Sequence, residues 1–278
     1  MKISVAFIVY NGANYMRTQL DSILAQKYKV DEIIVVEDAS TDNTKEILKS
    51  YTIEFPDLFY IKYNNENMGS YKSIEKAISY AENKHLKIDY LEGDFTKMNF
   101  QNQKFDVILF DSSLHHFENI TSFLKNNINP LLSKNGIVVV FEYCGPNRLQ
   151  WRPSQLKKVN QILSNLPESY RILTNTNLIK RKAYRPGILR MFLVDPSEAP
   201  DSENLQKALH ENFEKVEETK LSWTIIQPLF KNIAHHFVND KPETKKWIKY
   251  ILDEEASFVR ETNENDAIFG IYKKRNQL

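Results

Sequence analysis

The amino-acid sequence predicts an α/β protein, a three-layer sandwich in which helices cover both faces of a mostly parallel sheet, with helical additions towards the C-terminus. Apolar, β-branched runs alternate with helical stripes before residue 82, and the same alternation returns from about residue 86. Such alternation favours parallel strands joined by right-handed crossovers. Beyond residue 141 the apolar residues recur mainly at helical spacing, which predicts the additions.

The first stretch predicts three strands and three helices. Strands covered on both faces are continuous apolar runs, and such runs occupy Ile3–Tyr10, Ile33–Val36 and Phe59–Tyr63. Helical stripes extend from Met16 to Leu24 and from Tyr71 to Ala81. Between these two helices, Asn43 and Glu46 have the spacing of a capping pair for a third.

The second stretch predicts further strands, at Ile88–Leu91, Phe105–Phe110 and Ile137–Phe141. A helix is expected from Ile120 onwards, with Gly136 as its stop signal. The C-terminal helices are indicated by apolar stripes from Leu156 to Leu163 and from Leu205 to Phe213, and by Pro242 as a helix opener. Ala267–Tyr272 has the pattern of a final strand.

Composition narrows the possible functions. Only 7 of the 278 residues are glycine, and no two lie closer than nine positions, which excludes glycine-rich phosphate-binding loops. The formal net charge of +1 gives no support to nucleic-acid binding. The single cysteine, Cys144, cannot form an internal disulfide, so we expect a reducing, cytoplasmic location. No apolar run approaches the length of a transmembrane helix, so none is expected.

Polar residues follow the first three predicted strands. Tyr10 and Gly12 follow the first strand, Glu37 and Asp38 the second, and residues 64–69 the third. Ligands of open α/β sheets bind beyond the carboxyl ends of the strands, so these residues are candidates for one site. Carboxylates there can accept hydrogen bonds from a uracil N–H or from ribose hydroxyls, while backbone groups after the first strand hold the base.

This part of the chain resembles the N-terminal half of family 2 glycosyltransferases of the GT-A fold. The matching stretches are residues 9–12, 19–26, 33–44, 67–69 and 74–78. The resemblance implies a nucleotide-sugar site, with Tyr10, Glu37 and Asp38 near the nucleoside. It ends before the Asp-x-Asp motif that holds the metal of that family, and no Asp-x-Asp occurs in the chain.

From residue 86 the chain resembles the later part of class I S-adenosylmethionine-dependent methyltransferases, which have a Rossmann-like fold. The resemblance is carried by residues 88–95, 105–117, 131–140, 142–148 and 195–199. It implies that Asp94 accepts a hydrogen bond from the adenine amino group and that Asp111 and Ser112 lie where cofactor and substrate meet. Glu142, Tyr143 and Arg148 are implied on the acceptor side. The glycine-rich cofactor loop of that family is missing.

Methyl transfer needs alignment and a base for the acceptor hydroxyl or amine, because the sulfonium methyl is already reactive. His115 or His116 could be that base, since a histidine side chain titrates near neutral pH; packing or loop capping is the alternative role. No metal is expected, because no cysteine or carboxylate cluster accompanies the histidines at ligand spacing.

The sequence therefore predicts a glycosyltransferase-like region over residues 1–82 and a methyltransferase-like region over residues 86–278. Three hypotheses remain open. The chain is a methyltransferase that uses S-adenosylmethionine and a small-molecule or glycan acceptor, with Tyr10–Gly12, Glu37 and Asp38 replacing the lost loop. Alternatively it is a glycosyltransferase remnant that binds a nucleotide-sugar, or an inactive fusion. Both resemblances point to bacterial surface-glycan biosynthesis.

Overall fold

A computed structural model of the chain describes residues 3–69, 72–73, 76–77, 79, 93–100, 102–239 and 241–275. The chain divides into two compact units, Met1–Gly93 and Asp94–Leu278. Parallel strands joined by helices occur in both, which confirms the α/β fold. The boundary expected between residues 82 and 86 and the strand expected at residues 88–91 lie outside the described residues.

The Met1–Gly93 unit contains a sheet of three parallel strands in the order β1-β2-β3. The strands are β1 (Ser4–Val9), β2 (Glu32–Glu37) and β3 (Phe59–Tyr63), and the helices between them are α1 (Met16–Leu24) and α2 (Thr44–Glu54). The register places Val9 opposite Glu37 and Glu37 opposite Tyr63, so the carboxyl ends of all three strands meet at one edge. Leu20 and Leu48 pack from the helices onto this sheet.

The expected capping pair at the start of α2 does not form. Asn43 occupies the N-cap position, but its side chain makes no capping hydrogen bond. The Asp42 carboxylate instead accepts a hydrogen bond from the backbone N–H of Thr44, at 3.1 Å. The nearest carboxylate, one residue earlier than predicted, therefore satisfies this helix terminus.

The Asp94–Leu278 unit contains a mixed four-stranded sheet in the order β4-β5-β7-β6. Its strands are β4 (Phe105–Asp111), β5 (Leu132–Tyr143), β6 (Phe213–Ser222) and β7 (Ala267–Lys274). β4 and β5 are parallel, whereas β7 runs antiparallel between β5 and β6. Among the described strands β4 pairs only with β5, and its Val107 and Leu109 side chains are 54% and 63% exposed.

The helices of this unit pack partly on the sheet and partly on one another. They are α3 (Ile120–Phe123), α4 (Pro153–Asn165), α5 (Ile188–Val194), α6 (Leu205–Asn212), α7 (Ile226–Phe230) and α8 (Pro242–Thr262). One core joins the sheet to α3 and α6, and a second, helical core joins α4, α7 and α8. No helix in the described ranges is long and apolar enough to cross a bilayer.

Two sequence expectations for this unit are wrong. Gly136 does not end a helix: the helical turns after α3 stop at Leu131, and Gly136 lies within β5, where an added Cβ would sit 2.9 Å from the Phe105 carbonyl oxygen. The stripe ending at Phe213 is helical only to Asn212, because Phe213 begins β6. β6 itself was not expected, since its charged residues give no apolar alternation.

Candidate functional site

Two carboxylates end β2 in the Met1–Gly93 unit, and they are bonded very differently. Glu37 is fully buried, and its Oε1 accepts a hydrogen bond from the Ser40 N–H at 2.5 Å. Its Oε2 accepts no hydrogen bond from the described residues, and the Lys45 ammonium lies 3.7 Å away. Glu37 therefore retains a buried acceptor that a hydroxyl or N–H group could use.

Asp38 holds the segment that follows β3. Its carboxylate accepts hydrogen bonds from Asn64 Nδ2 at 2.6 Å, Met68 N at 2.9 Å and Gly69 N at 3.0 Å. Burial alone would raise the pKa of Asp38, but the hydrogen bonds from Met68, Asn64, Ser73 and Gly69 outweigh it, and the pKa is lowered. Asp38 thus shapes this edge of the sheet through the protein's own groups.

The loop after β1 is closed by internal hydrogen bonds. The N–H groups of Asn11, Gly12 and Ala13 donate to Ser40 Oγ, Thr44 Oγ1 and Asp42 Oδ2 at 2.9, 2.9 and 3.0 Å. In a glycine-rich loop such N–H groups point at the cofactor. Here all three are already bonded within the protein.

The side chains that the sequence singled out at this loop differ in exposure. The Tyr10 side chain is 48% exposed and could face a ligand. Packing requires a glycine at position 12, because a Cβ on Gly12 would collide with the Val9 side chain.

In the Asp94–Leu278 unit, the candidate residues after β4 lie beside the end of β5. Asp111 ends β4 and is exposed, and its described side-chain partner is the neighbouring Ser112 hydroxyl at 3.3 Å. Ser112 adopts a left-handed backbone conformation, with φ 49°, and its N–H donates to the Phe141 carbonyl at 2.8 Å. A non-glycine residue in this conformation costs free energy, and such residues cluster at functional sites.

Glu142 anchors the turn that carries the two histidines. It is 1% exposed, and its Oε1 accepts hydrogen bonds from Ser113 N at 2.7 Å and Leu114 N at 2.6 Å. Its Oε2 lies 2.7 Å from His115 Nδ1. A carboxylate only accepts hydrogen bonds, so Nδ1 carries the proton in this pair and Nε2 of His115 remains the basic nitrogen.

His116 stacks on His115 and contacts the loop before α6. The two imidazole centroids are 4.3 Å apart, and His116 Nδ1 lies 3.1 Å from the Ser197 carbonyl oxygen. Glu198 joins them: one ligand atom from each of His115, His116 and Glu198 lies within 4.8 Å of the others. This carboxylate beside the histidines could not be predicted from the sequence, because 82 residues separate Glu198 from His116.

This three-residue cluster could hold a divalent cation. Metal–ligand bonds of about 2.1 Å keep any two ligand atoms of one ion within about 4.2 Å of each other. In this cluster the three ligand atoms lie within 4.8 Å of one another. The arrangement can also act without a metal, as a pair of imidazoles with one ring oriented by a buried carboxylate.

The remaining candidate residues are bonded mainly to the protein itself. Tyr143 is buried, its hydroxyl donates to the Pro146 carbonyl at 3.1 Å, and burial followed by the Asp266 charge raises its pKa. The Arg148 guanidinium donates to the carbonyls of Pro196 and Glu198. Tyr143 and Arg148 thus hold the loops that contain Pro146 and residues 196–198.

Asp94 and Cys144 also have internal roles. The Asp94 carboxylate accepts hydrogen bonds from Lys97 and Thr96, which lower its pKa to about 2, and it caps the turn Phe95–Lys97. Its side chain is partly exposed. Burial raises the pKa of the Cys144 thiol to about 12, so this cysteine is an unreactive, buried side chain.

In each unit of the described structure, candidate polar residues thus lie at the carboxyl ends of parallel strands. Residues 69–233 match the family profile described as a methyltransferase domain, which is more than half of the chain, and the chain belongs to this family. Residues 4–88 match the profile of glycosyl transferase family 2. The hybrid resemblance seen in the sequence is confirmed.

Several curated relatives are named as glycosyltransferases. An uncharacterized glycosyltransferase of Rickettsia typhi is 35% identical over 143 residues, which are 51% of this chain and 36% of the relative. One of Mycoplasma genitalium is 29% identical over 49% of this chain and 46% of the relative. The glycosyltransferase GlyA of Streptococcus pneumoniae is 44% identical over 25% and 10%. The chain spans less than half the length of these relatives.

Solved structures of both kinds are similar. A mannosyltransferase of Pyrobaculum calidifontis, in complex with GDP-Man and Mn2+, is 29% identical over 29% of this chain and 24% of that chain, with a TM-score of 0.27. An O-methyltransferase of Brevibacillus brevis, in complex with S-adenosyl-L-homocysteine, is 11% identical over 98% and 66%, with a TM-score of 0.36.

Proposed function

We propose that the Asp94–Leu278 unit transfers a methyl group from S-adenosylmethionine to a hydroxyl of a sugar or glycan-linked acceptor. The observation that carries this proposal is the buried contact of 2.7 Å between His115 Nδ1 and Glu142 Oε2, at the ends of adjacent parallel strands. Membership of the methyltransferase domain family supports the same reaction class. We further propose a cytoplasmic enzyme of bacterial surface-glycan biosynthesis.

His115 is the proposed base. S-adenosylmethionine, when bound, supplies an electrophilic methyl group on sulfur. His115 Nε2 would accept the hydroxyl proton of the acceptor as that oxygen is methylated. Glu142 holds the Nδ1–H and stabilises the imidazolium that forms, which is the role a carboxylate has in other histidine dyads. His116 lies against the same ring and is the second candidate for the base.

The residues fit the cofactor in part. Asp111 and Ser112 would hold its ribose or amino-acid portion at the end of β4, where Asp111 has exposed carboxylate oxygens. Asp94 is proposed for the adenine amino group, since its partly exposed oxygens can accept a further hydrogen bond. Tyr10, Gly12, Glu37 and Asp38 belong to the Met1–Gly93 unit, where the Gly12 N–H already donates to Thr44. Of these, Glu37 has a buried acceptor without a described hydrogen-bond donor.

On the acceptor side we propose that Glu142, Tyr143 and Arg148 act as positioning residues. Glu142 orients His115, Tyr143 fixes the Pro146 turn, and Arg148 fixes the loop that presents Glu198. The reaction is proposed to need no metal, because two imidazoles and a carboxylate already provide the proton acceptor. Small-molecule or glycan acceptors are expected, and nucleic acid is not, given the net charge of +1.

A second candidate is nucleotide-sugar binding by the Met1–Gly93 unit. Two observations favour it. The exposed Tyr10 ring could stack on a base, and Glu37 Oε2, which accepts no described hydrogen bond, could accept one from a ribose hydroxyl. The match to glycosyl transferase family 2 over residues 4–88 supports it as well. An inactive fusion of the two families is the remaining alternative.

Isothermal titration calorimetry separates these candidates. The full chain is titrated with S-adenosylmethionine, with S-adenosylhomocysteine and with uridine diphosphate. Binding of the first two alone supports methyl transfer, binding of uridine diphosphate alone supports the nucleotide-sugar candidate, and binding of none indicates the inactive fusion.

The base is tested with His115→Asn and Glu142→Gln, assayed by S-adenosylhomocysteine release in the presence of sugar acceptors and of a chelator. We expect the His115 variant to lose about 10²–10⁴-fold in kcat with cofactor affinity retained. The Glu142 variant should change the pH profile of kcat, which a purely structural role would not do. The matched control is His235→Asn, because His235 is the exposed member of the second histidine pair, His235 and His236. Unchanged kcat in His115→Asn, or loss of activity on chelation, contradicts the proposal.

A further inference from the structure

One segment of the Asp94–Leu278 unit has a sharply one-sided charge. Residues 169–194 contain six lysine or arginine residues and no aspartate or glutamate, although the whole chain has 37 basic and 36 acidic residues. The cations are Arg171, Lys180, Arg181, Lys182, Arg185 and Arg190. Neither metabolite site proposed above uses these residues.

The end of this segment is an exposed apolar helix. In α5 the side chains of Leu189, Leu193 and Val194 are 79%, 85% and 67% exposed, and Ile188 and Phe192 are also exposed. Met191 is the buried residue of this seven-residue helix. Contiguous apolar side chains in water are unfavourable, and such patches mark surfaces that dock on a partner or a membrane.

Four of the six cations line an open cleft of about 460 Å³. The cleft is lined by Arg181, Lys182 and Lys231, and also by Arg190 of α5 itself. Arg190 therefore joins the basic cleft to the apolar helix. Tyr184 also lines the cleft and is 68% exposed.

Among the described residues, no acid forms an ion pair with Arg181, Lys182 or Arg190. Lys180 donates instead to three backbone carbonyls, and Arg171 lies 4.0 Å from Glu168. Burial lowers the pKa of Lys231, the Arg190 charge lowers it further, and the charge of Glu198 opposes them. Asp195, the nearest acid along the chain, accepts hydrogen bonds from Ser197. An anion bound at the cleft would relieve the crowding of cations.

We propose that residues 180–194 dock the protein on an anionic lipid bilayer, with the apolar side chains of α5 in the interface and the cations of the cleft against lipid phosphates. Exposed apolar residues next to clustered lysine and arginine are the pattern of interfacial membrane anchors. A purely acidic ligand would match the cations but leave the apolar side chains of α5 in water, whereas an anionic bilayer accommodates both. Docking would bring the methyl-transfer site close to lipid-linked acceptors, but the surface is argued independently of that reaction.

The test is co-sedimentation of the full chain with vesicles. We expect binding to mixed phosphatidylcholine–phosphatidylglycerol vesicles, weakened by salt, and little binding to pure phosphatidylcholine. Arg181→Ala with Lys182→Ala should weaken binding roughly thirty-fold, and Leu189→Glu with Leu193→Glu should abolish it. The substituted side chains are exposed, so circular dichroism should be unchanged.

Two matched controls use other parts of the same unit. Leu252→Glu places a carboxylate on the exposed face of α8, where Leu252 is 50% exposed. Lys125→Ala with Lys134→Ala removes two cations from a larger basic cleft, of about 890 Å³, without an apolar helix in its lining. Both controls should bind vesicles like the unmodified chain. Equal loss in the controls, equal binding to neutral vesicles, or self-association that Leu189→Glu with Leu193→Glu abolishes in place of vesicle binding overturns the proposal.

Discussion

At the scale of single residues, three buried carboxylates at strand ends have three different roles. Asp38 is bonded to the protein's own N–H groups, Glu142 orients a histidine, and Glu37 keeps one oxygen without a described donor. Glu37 and Asp38 were predicted from the end of a strand, whereas Glu142 was implied by the resemblance to methyltransferases. The sequence could not separate their roles, because those depend on donors 26 to 31 residues away for Asp38 and 27 to 29 residues away for Glu142.

The role of Asp38 predicts a pH dependence of stability. Its folded-state pKa is lowered, so its stabilising contribution is complete above the ordinary aspartate pKa, about 3.9, and is lost as the pH falls through the folded-state value. We expect Asp38→Asn to reduce the free energy of unfolding by about 2 kcal/mol at pH 7 and by less below pH 4. Urea unfolding across this pH range measures it, with exposed Asp57→Asn as the control. An equal loss at both pH values would contradict the assignment.

At the scale of elements, apolar strands and amphipathic helices could be predicted from the sequence, whereas the charged strand β6 could not. β1, β2, α1, α4 and α8 were expected close to where they occur, because each buries apolar residues. β4 was expected from its apolar run, although its Val107 and Leu109 side chains are exposed. β6 was missed because it is an edge strand: it pairs with β7, shifts register near Lys215 and Lys220, and is mainly exposed. In such a strand tertiary pairing, not periodicity, decides the structure.

One carboxylate ties β6 to its neighbours and predicts how firmly this edge is held. Glu218 accepts hydrogen bonds from Tyr272 Oη at 2.5 Å, Gln206 Nε2 at 2.8 Å and His210 Nε2 at 2.6 Å, and so joins β6 to β7 and α6. We expect Glu218→Gln to cost about 2 kcal/mol of unfolding free energy and to speed amide exchange in β6. Hydrogen exchange followed by mass spectrometry reads both out.

The control for this edge is Glu217→Gln, since Glu217 is the exposed neighbour on the same strand. It should leave exchange in β6 unchanged. Equal exchange in the two variants would show that backbone pairing alone holds the edge.

At the scale of the whole molecule, the chain has two units with separate sheets and separate apolar cores. Chains with more than one core depart from two-state unfolding. We therefore expect two calorimetric transitions. Asp38→Asn should shift only the transition of the Met1–Gly93 unit, and Glu142→Gln only the other. A single transition that both substitutions shift equally would show that the units unfold together.

The sequence resemblances predict a glycosyltransferase-like and a methyltransferase-like region, but they do not predict which side chains of each candidate site meet. The resemblances named the families and most candidate residues, whereas the Glu198 carboxylate beside the histidines and the closed loop after β1 appear only in three dimensions. Long-range contacts of this kind leave no periodic signal along a single sequence.

On one side β4 pairs with no described strand, and this has a consequence for how the chain behaves at high concentration. Residues 107–110 form an apolar segment on a strand that pairs only with β5 among the described strands, and such segments can template cross-β stacking. Asp106 and Asp111 flank it, and both are exposed. Stacked copies would place these like charges about 4.8 Å apart, so the two aspartates act as gatekeepers against fibrillar assembly.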